Sequence, residues 1–210
     1  MIHIATVDLS TLDENAYQQL YALASPERRQ QADRCLRKEV AQQCILAESA
    51  LRYALRSALG TERVTLSKTK SGKPYITERS DFHFNLSHAG SWVVIAWGDL
   101  PVGIDVETIR MDESKERLAH RFYHSREQAY LFAAQGRERA QRFFEIWTKK
   151  ESYLKYQGTG IDRALNSFSV FDLPEVTFHS CLLENAVLTL CAADSEYDMI
   201  SLTPEMLLSD

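Results

Sequence analysis

A long stretch in the first half of the chain has apolar residues at helical spacing. It runs from about Lys38 to Leu59 and is followed by Gly60, a residue type that commonly ends helices. The apolar positions recur every three or four residues, as one buried helix face requires: Val40, Cys44, Ala47, Leu51, Leu55 and Ala58. The pattern therefore predicts one amphipathic helix over this range.

Two shorter helices are predicted before the long one. Thr11, with Glu14 three residues further on, resembles a capping box and predicts a helix to about residue 23. The run Ser25-Pro26-Glu27 supplies an N-cap, a proline at the first helical position and an acid in the first turn.

Apolar runs of strand length surround these helices and recur near the end of the chain. The first group of predicted strands is 2–9, 64–68, 82–86, 92–97 and 102–107. Further helices are predicted at 112–121, at 126–134 (capped by Ser125, with Gln128 three residues on) and at 138–157 before Gly158. The last predicted strands are 168–171, 176–179, 186–192 and 199–202.

The order of strand, helices and strands occurs on both sides of Pro101. This order predicts the α+β class, with two similar halves at residues 1–101 and 102–210. No residue-level repeat relates the two halves.

Composition places the chain among ordinary globular proteins and narrows its partners. Its 210 residues are 45% hydrophobic and 25% charged, with a net charge of -5, which argues against a nucleic-acid binder. The start resembles no secretory signal, and no apolar run reaches membrane-spanning length. The four cysteines form no CxxC pair, so we expect free thiols in a reducing, cytoplasmic compartment.

Two short acidic motifs suggest a cation site. Asp105 and Glu107 are two positions apart on a predicted strand, so both carboxylates leave the same face. Glu151 shares a predicted helix face with Lys155, one turn later. Carboxylates beside lysines suit a hard cation, Mg²⁺ above all, shared with a phosphate substrate.

Each of these motifs has an ordinary structural explanation. A half-exposed strand often alternates apolar and charged residues, and Glu151 with Lys155 could be a solvated surface pair. Trp147, Tyr153 and Tyr156 lie between the charges of the helix, however, which indicates that it is partly buried.

A third group of candidate residues is Ser87 and His88, which follow an apolar strand and fall at a predicted turn. Adjacent strand residues point to opposite faces, so a serine nucleophile with a histidine base is disfavoured. Turn-stabilising hydrogen bonds and phosphate contact both remain open for Ser87. Lys73, in Gly72-Lys73-Pro74, is by itself most simply a turn lysine.

Taken in order, these motifs resemble the 4′-phosphopantetheinyl transferases, in particular the surfactin-activating (Sfp-like) branch. The resemblance covers about residues 1–172. The matching stretches are Ser25-Pro26-Glu27-Arg28-Arg29, Gly72-Lys73-Pro74, Phe84-Asn85-Leu86-Ser87-His88-Ala89-Gly90, Val102-Gly103-Ile104-Asp105-Val106-Glu107, Phe122 to Glu127, Trp147 to Lys155, and Gly158-Thr159-Gly160-Ile161.

The resemblance implies transfer of the phosphopantetheine arm of coenzyme A to a serine of a carrier protein, with release of 3′,5′-ADP. It also implies a pseudo-dimer of two α+β halves with the site in the cleft between them. Asp105, Glu107 and Glu151 would hold Mg²⁺, or Mn²⁺, on the coenzyme A pyrophosphate.

The same resemblance implies a set of coenzyme A contacts. Lys155 and Lys73 would meet the diphosphate, Ser87 and His88 would bind phosphates, and Arg28 would hold the 3′-phosphate end. Gln31 and Gln43 stand where the family pattern favours basic residues, which would lower coenzyme A affinity unless Arg34 or Lys38 compensates.

The base for the serine proton is open between two carboxylates. Glu151 could act directly or through a metal-bound water, and Glu127 is the second candidate. A carboxylate bound to Mg²⁺ is a poor base, which favours the water-mediated route.

The implied partner is an apo acyl or peptidyl carrier protein, usually acidic and helical, and the branch often serves secondary metabolism. A docking surface is expected between Phe122 and Phe144, unless its aromatic residues are core and its arginines merely solvated: Tyr130, Leu131, Phe132, Arg137, Arg139, Arg142 and Phe143. We expect a monomer, because the chain would contain its own pseudo-dimer.

The sequence leaves two other functions open. One is a non-catalytic coenzyme A or carrier-protein binder that keeps the fold, although Asp105, Glu107, Glu151 and Lys155 would not all be needed for binding. The other is a Mg²⁺-dependent phosphotransferase or nucleotide hydrolase with a different acceptor. A P-loop enzyme is excluded because the chain has no GxxxxGK[ST] loop.

Overall fold

The computed structural model describes residues 1–110, 112–160, 164–193 and 196–209. The strands in this part of the chain are β1 (Ile2–Asp8), β2 (Leu66–Lys68), β3 (Pro74–Ile76), β4 (His83–Ala89), β5 (Trp92–Gly98), β6 (Val102–Thr108), β7 (Thr177–Leu183), β8 (Ala186–Ala192) and β9 (Tyr197–Leu202). The helices are α1 (Glu14–Leu23), α2 (Pro26–Asp33), α3 (Lys38–Leu59), α4 (Glu113–Phe122), α5 (Ser125–Phe132), α6 (Gly136–Gln157) and α7 (Pro204–Leu208).

The N-terminal half is a four-stranded sheet covered on one face by α3. Its strand order is β4-β5-β1-β9, with β9 parallel to β1 and the other pairs antiparallel. Ala5 and Val7 of β1, with Val93 and Ile95 of β5, join residues of α3 in one buried apolar cluster. The alternation of strand residues therefore directs one face of the sheet towards the long helix.

The C-terminal half repeats this arrangement. Its antiparallel sheet has the order β6-β8-β7, and α6 packs across it. The series β1, α3, β4, β5 corresponds to β6, α6, β7, β8, in the same pairing pattern. Both long helices have 22 residues and end at a left-handed glycine, Gly60 or Gly158. The predicted α+β class with two similar halves is confirmed.

The two sheets pack against each other through the faces that do not contact the long helices α3 and α6. Ile2 and Ile4 of β1 lie in one buried cluster with Ile104 and Val106 of β6 and Leu188 of β8. This apolar contact joins the two halves and leaves a cleft along one side, where β4 approaches β6.

The end of the chain does not stay in the second half. Strand β9 pairs with β1 from Ile2↔Tyr197 to Val7↔Leu202, and Leu207 of α7 is buried in the N-terminal cluster. The strand predicted at 199–202 therefore completes the first sheet, and the division at 1–101 and 102–210 remains a prediction.

Two of the three predicted helix caps are wrong by one or two residues, and one is right. Residues Leu9–Thr11 form a 3₁₀ turn, and Asp13 rather than Thr11 caps α1 by accepting from Ala16 N at 2.7 Å. Ser25 does cap α2, accepting from Arg28 N at 3.2 Å. His124, not Ser125, caps α5.

The strand predictions hold for most of the chain, with two exceptions. The predicted strand at 168–171 is absent from the described residues, where a 3₁₀ turn at Leu165–Ser167 leads into irregular backbone. Ser87 and His88, expected at a turn, lie inside β4, which turns only at Gly90.

No helix in the described part of the chain has the length and apolar composition needed to cross a lipid bilayer. All four cysteines are free thiols.

Candidate active site

A cleft of about 220 Å³ lies between the halves, at the C-terminal end of α6. Residues from both halves line it, among them Lys73 and Asn85 from the first and Glu151, Lys155 and Gly158 from the second. Three of the predicted site residues therefore share one cavity.

Close contact between β6 and α6 shapes one wall of this cleft, and Gly103 permits that contact. A Cβ atom at Gly103 would lie 2.0 Å from Ser152 O and 2.4 Å from Tyr156 N. Only glycine allows the strand to approach the helix backbone so closely. The next face-sharing residue along β6 is Asp105, which this approach places beside Lys155.

Asp105 is nearly buried, with 4% of its surface exposed. Its Oδ1 accepts from Ser87 Oγ at 2.8 Å and from Lys155 Nζ at 2.6 Å. Its Oδ2 is buried and has no hydrogen-bond partner among the residues that the structure describes. Burial raises the pKa of Asp105, against the opposing effects of Lys155 and Ser87. A bound cation would satisfy the unpartnered oxygen.

Glu107 and Glu151 lie close enough to Asp105 to sense its charge. Burial first, and then the negative charge of Asp105, raises the pKa of each carboxyl. A hydrogen bond from Trp147 opposes this at Glu107, and Lys155 opposes it at Glu151. The negative charges of these carboxylates repel one another. A divalent cation bound between them would remove that repulsion.

The three carboxylates do not form a closed ligand cage. Within the described ranges, no three histidine, cysteine or acidic side chains are gathered closely enough to hold a metal ion together. The donor set of carboxylate oxygens nevertheless fits Mg²⁺, which keeps several waters and needs only one or two protein carboxylates. The unpartnered Oδ2 of Asp105 is the observation that favours such a cation.

Lys155 links both halves at the centre of the site. Its Nζ donates to Ser87 Oγ at 3.0 Å and to Ile104 O at 3.1 Å, in addition to Asp105. Ser87 Oγ also accepts a hydrogen bond from Val106 N at 3.4 Å, and Asn85 Oδ1 accepts one from Ile104 N at 2.8 Å. The side chains of β4 therefore bond to the outer edge of β6, a role for Asn85 that its sequence position did not reveal.

The ammonium of Lys73 bonds to backbone carbonyls of β6 and α6, so it is not free to bind a phosphate. Its Nζ donates to Val102 O at 3.2 Å, to Tyr156 O at 3.4 Å and to Lys155 O. Burial lowers the pKa of Lys73 to about 8. Ser71 Oγ, which was not predicted, donates to Gly158 O from the same loop. The loop from Thr69 to Lys73 thus holds the C-terminal end of α6.

His88 and Arg28 lie on the N-terminal side of the site. Part of the His88 side chain is exposed to solvent. Desolvation of the rest lowers its pKa, and so do the charges of Lys155 and, to a lesser extent, Arg28. Arg28 pairs with Glu48 at 3.3 Å and donates to Gln31 Oε1 at 3.2 Å. Gln43 is buried and donates to Gly90 O at 2.7 Å, so it stabilises the β4–β5 turn.

Glu127 is not brought to the cleft. It is fully buried and pairs with Lys150, while its oxygens also accept from His124 N and Val170 N at 2.8 Å. This position speaks against Glu127 as the base, because the serine of a carrier protein could not reach it.

The expected docking surface is partly core. Leu131 and Phe143 are buried, whereas Tyr130 is exposed and stacks against the guanidinium of Arg142 at 4.2 Å. Phe132 is half-buried and stacks on His120. Arg139 pairs with Glu116 at 2.8 Å. In the Gly158–Ile161 motif, Ile161 lies outside the described residues.

Comparison with known proteins gives the class of this molecule. Residues 101–198 match the family model of the 4′-phosphopantetheinyl transferase superfamily, and residues 12–98 match that of the 4′-phosphopantetheinyl transferase N-terminal region. The chain belongs to the 4′-phosphopantetheinyl transferase superfamily.

Similar proteins narrow the class further. The chain is 32% identical over 161 residues to the 4′-phosphopantetheinyl transferase Sfp of Bacillus subtilis, covering 76% of this chain and 71% of that protein. It is 35% identical over 172 residues to the transferase psf-1 of Bacillus pumilus, covering 79% and 73%. To the transferase HetI of a Nostoc strain it is 32% identical over 166 residues, covering 76% and 70%.

These relatives support the Sfp-like branch. The chain is a transferase that attaches phosphopantetheine to carrier proteins, and coenzyme A is the substrate that its family uses. A non-catalytic binding protein is not favoured, because the relatives are named as transferases.

Proposed function

We propose that the cleft between the two halves transfers the phosphopantetheine arm of coenzyme A to a carrier serine with the aid of Mg²⁺, releasing 3′,5′-ADP. The unpartnered Oδ2 of buried Asp105 is the observation that carries this proposal. Asp105, Glu107 and Glu151 would hold the cation, with Mn²⁺ as an alternative. When bound, the cation would neutralise charge on the pyrophosphate.

Lys155 and Ser87 are the proposed contacts of the coenzyme A diphosphate. Both have polar atoms at the junction of the two halves, where Lys155 Nζ lies 3.0 Å from Ser87 Oγ. His88 and Arg28 lie on the N-terminal side and would meet the other phosphate. Lys73 would reach the diphosphate only by giving up its carbonyl contacts.

Glu151 is the proposed acceptor of the serine proton. It lines the cleft, and burial with the nearby charge of Asp105 raises its pKa, so its carboxylate is more basic than an exposed glutamate. Because a carboxylate that holds a cation is a weak base, we favour transfer of the proton through a water molecule.

Intact mass spectrometry of an apo carrier protein incubated with the enzyme, coenzyme A and Mg²⁺ tests this proposal. We expect a mass gain of one phosphopantetheine arm per carrier, and loss of that gain when EDTA removes the cation. Restoration by excess Mg²⁺ serves as the control for damage by the chelator.

Transfer that persists in EDTA would contradict the metal assignment while leaving the transferase activity intact. Release of 3′,5′-ADP without any carrier present would instead favour hydrolysis of coenzyme A by the same site.

A second experiment concerns coenzyme A affinity. Lys155→Met should weaken coenzyme A binding by roughly 10- to 100-fold, because a hydrogen bond to a charged group contributes about 1.5–3 kcal/mol. Calorimetric titration with coenzyme A measures the change. Lys149→Met is the matched control on the same helix, since Lys149 pairs with Glu145 at 2.6 Å and does not line the cleft.

Equal affinities of Lys155→Met and the wild type would remove Lys155 from the coenzyme A site. A loss shared by Lys149→Met would point to long-range charge rather than contact.

We also propose a carrier partner, a cellular compartment and an oligomeric state. The carrier is expected to be an acyl or peptidyl carrier protein or domain, and the docking candidates that remain are exposed Tyr130 and Arg137 and partly exposed Arg142. The four free thiols suit the reducing cytoplasm, and we expect the enzyme to act as a monomer without nucleic acid or membrane partners.

A further inference from the structure

A buried ion pair lies inside the C-terminal half, away from the cleft. Glu127 of α5 and Lys150 of α6 have no exposed surface, and Lys150 Nζ lies 2.9 Å from Glu127 Oε2. Burying two charges is costly even when they pair, so such a pair is weak evidence for stability alone. A role in fixing a particular arrangement is the better explanation.

The contacts of Glu127 join two segments. Its Oε2 accepts from His124 N at 2.8 Å and so completes the cap of α5. Its Oε1 accepts from Val170 N at 2.8 Å. The carboxylate therefore connects the start of α5 to the backbone that follows the 3₁₀ turn.

Lys150 adds α6 to this connection. Its Nζ donates to Leu165 O at 2.7 Å and to Phe168 O at 2.9 Å, and it lies 4.2 Å from the centre of the Phe168 ring. Lys150 is itself a residue of α6. Its ammonium therefore connects α6 to α5 and to the segment from Leu165 to Phe168.

The position of Lys150 in the sequence relates this cluster to the cleft. Glu151 is the next residue and lines the cleft, whereas Lys150 faces the interior. Successive residues on an α-helix are rotated by about 100°. Anchoring Lys150 on the inner side therefore fixes the rotation of α6, and with it the direction in which Glu151 and Lys155 point.

We infer that Glu127 and Lys150 act as one positioning unit for the active-site face of α6, without touching substrate. The inference rests on the proposed roles of Glu151 and Lys155. Displacing reacting groups by about 1 Å can cost on the order of 100-fold in rate. The pair thus acts on catalysis through geometry.

Three variants and one control test this unit. Glu127→Gln and Lys150→Met each remove one charge, and the double variant removes both, so that neither charge is left buried alone. The matched control is Asp81→Asn with Arg79→Met, an exposed pair whose atoms are 2.8 Å apart and whose residues lie outside the cleft and the expected docking surface. The readouts are kcat of folded protein and its dependence on pH.

Each single variant is expected to lower kcat by about 10- to 100-fold, and the double variant by no more than the worse single one, because residues that act as a unit give non-additive losses. The acidic limb of the pH profile should keep its wild-type position. The control pair should retain kcat within about twofold, since exposed pairs contribute little.

Wild-type kcat in the folded double variant would overturn the inference and leave the pair a purely stabilising one. Loss of the acidic limb in Glu127→Gln would overturn it in favour of Glu127 as the base. If the single variants do not fold, the double variant alone decides between these outcomes. Absence of transfer by the wild type itself would instead contradict the proposed function.

Discussion

Asp105→Asn is expected to lower the rate of transfer at least about a thousandfold, equivalent to about 4 kcal/mol of activation free energy. The amide keeps the shape of the side chain but removes the charge that the proposed cation and Lys155 require. The rate is measured from the formation of modified carrier protein. Glu145→Gln is the control, because Glu145 lies on α6, does not line the cleft and pairs with Lys149.

The fold should survive this substitution at neutral pH. Because the pKa of Asp105 is raised in the folded protein, its contribution to stability is full below its ordinary pKa and is lost as the pH rises through the raised value. At pH 7 the ionised carboxylate is therefore a cost, and its removal should leave the free energy of unfolding equal or higher. Substantial activity in folded Asp105→Asn would remove Asp105 from the metal site, and marked destabilisation would contradict the sign of its pKa shift.

Gly103→Ala is expected to reduce stability by at least about 3 kcal/mol, at the upper end of overpacking effects. The added Cβ would overlap backbone atoms of Ser152 and Tyr156, which cannot rotate away as a side chain could. For a chain of this length the loss corresponds to a Tm decrease of roughly 6–12 °C, measured by calorimetry.

Gly136→Ala separates this overlap from the general cost of replacing glycine. Gly136 has a φ of 54°, and no atom of the described part of the chain lies within 4 Å of an added Cβ, so only the left-handed backbone cost of roughly 1–2 kcal/mol applies. Equal Tm decreases in the two variants would contradict the proposed contact between β6 and α6.

Sequence patterns predicted some elements closely where periodicity and a terminating residue agreed. The boundaries of α3 match, since its apolar face is continuous and Gly60 adopts the left-handed conformation that ends it. Strand β8 also matches, because all of its residues are buried and only Thr189 interrupts its apolar run. Both signals are local, so neither depends on contacts with distant residues.

Other features depend on contacts that a single sequence does not contain. Lys150 belongs to a charged run that is typical of a solvated helix face, yet the irregular backbone near Phe168 provides carbonyl groups that hold it inside. Glu127 did carry a signal, as the third residue of a helix that begins after His124, but histidine is an unusual cap. The return of β9 to β1 could not be predicted from either strand alone.

The two halves differ at one corresponding edge, and this difference explains where the cleft lies. In the first sheet, the edge of β1 that faces away from β5 is covered by β9. In the second sheet, as far as the chain is described, the equivalent edge of β6 has no strand beside it. Its backbone groups bond instead to Asn85, Ser87, Lys73 and Lys155. Main chain therefore closes this edge in the first half, whereas four side chains close it in the second. The approximate twofold relation between the halves breaks down along the strand that borders the cleft.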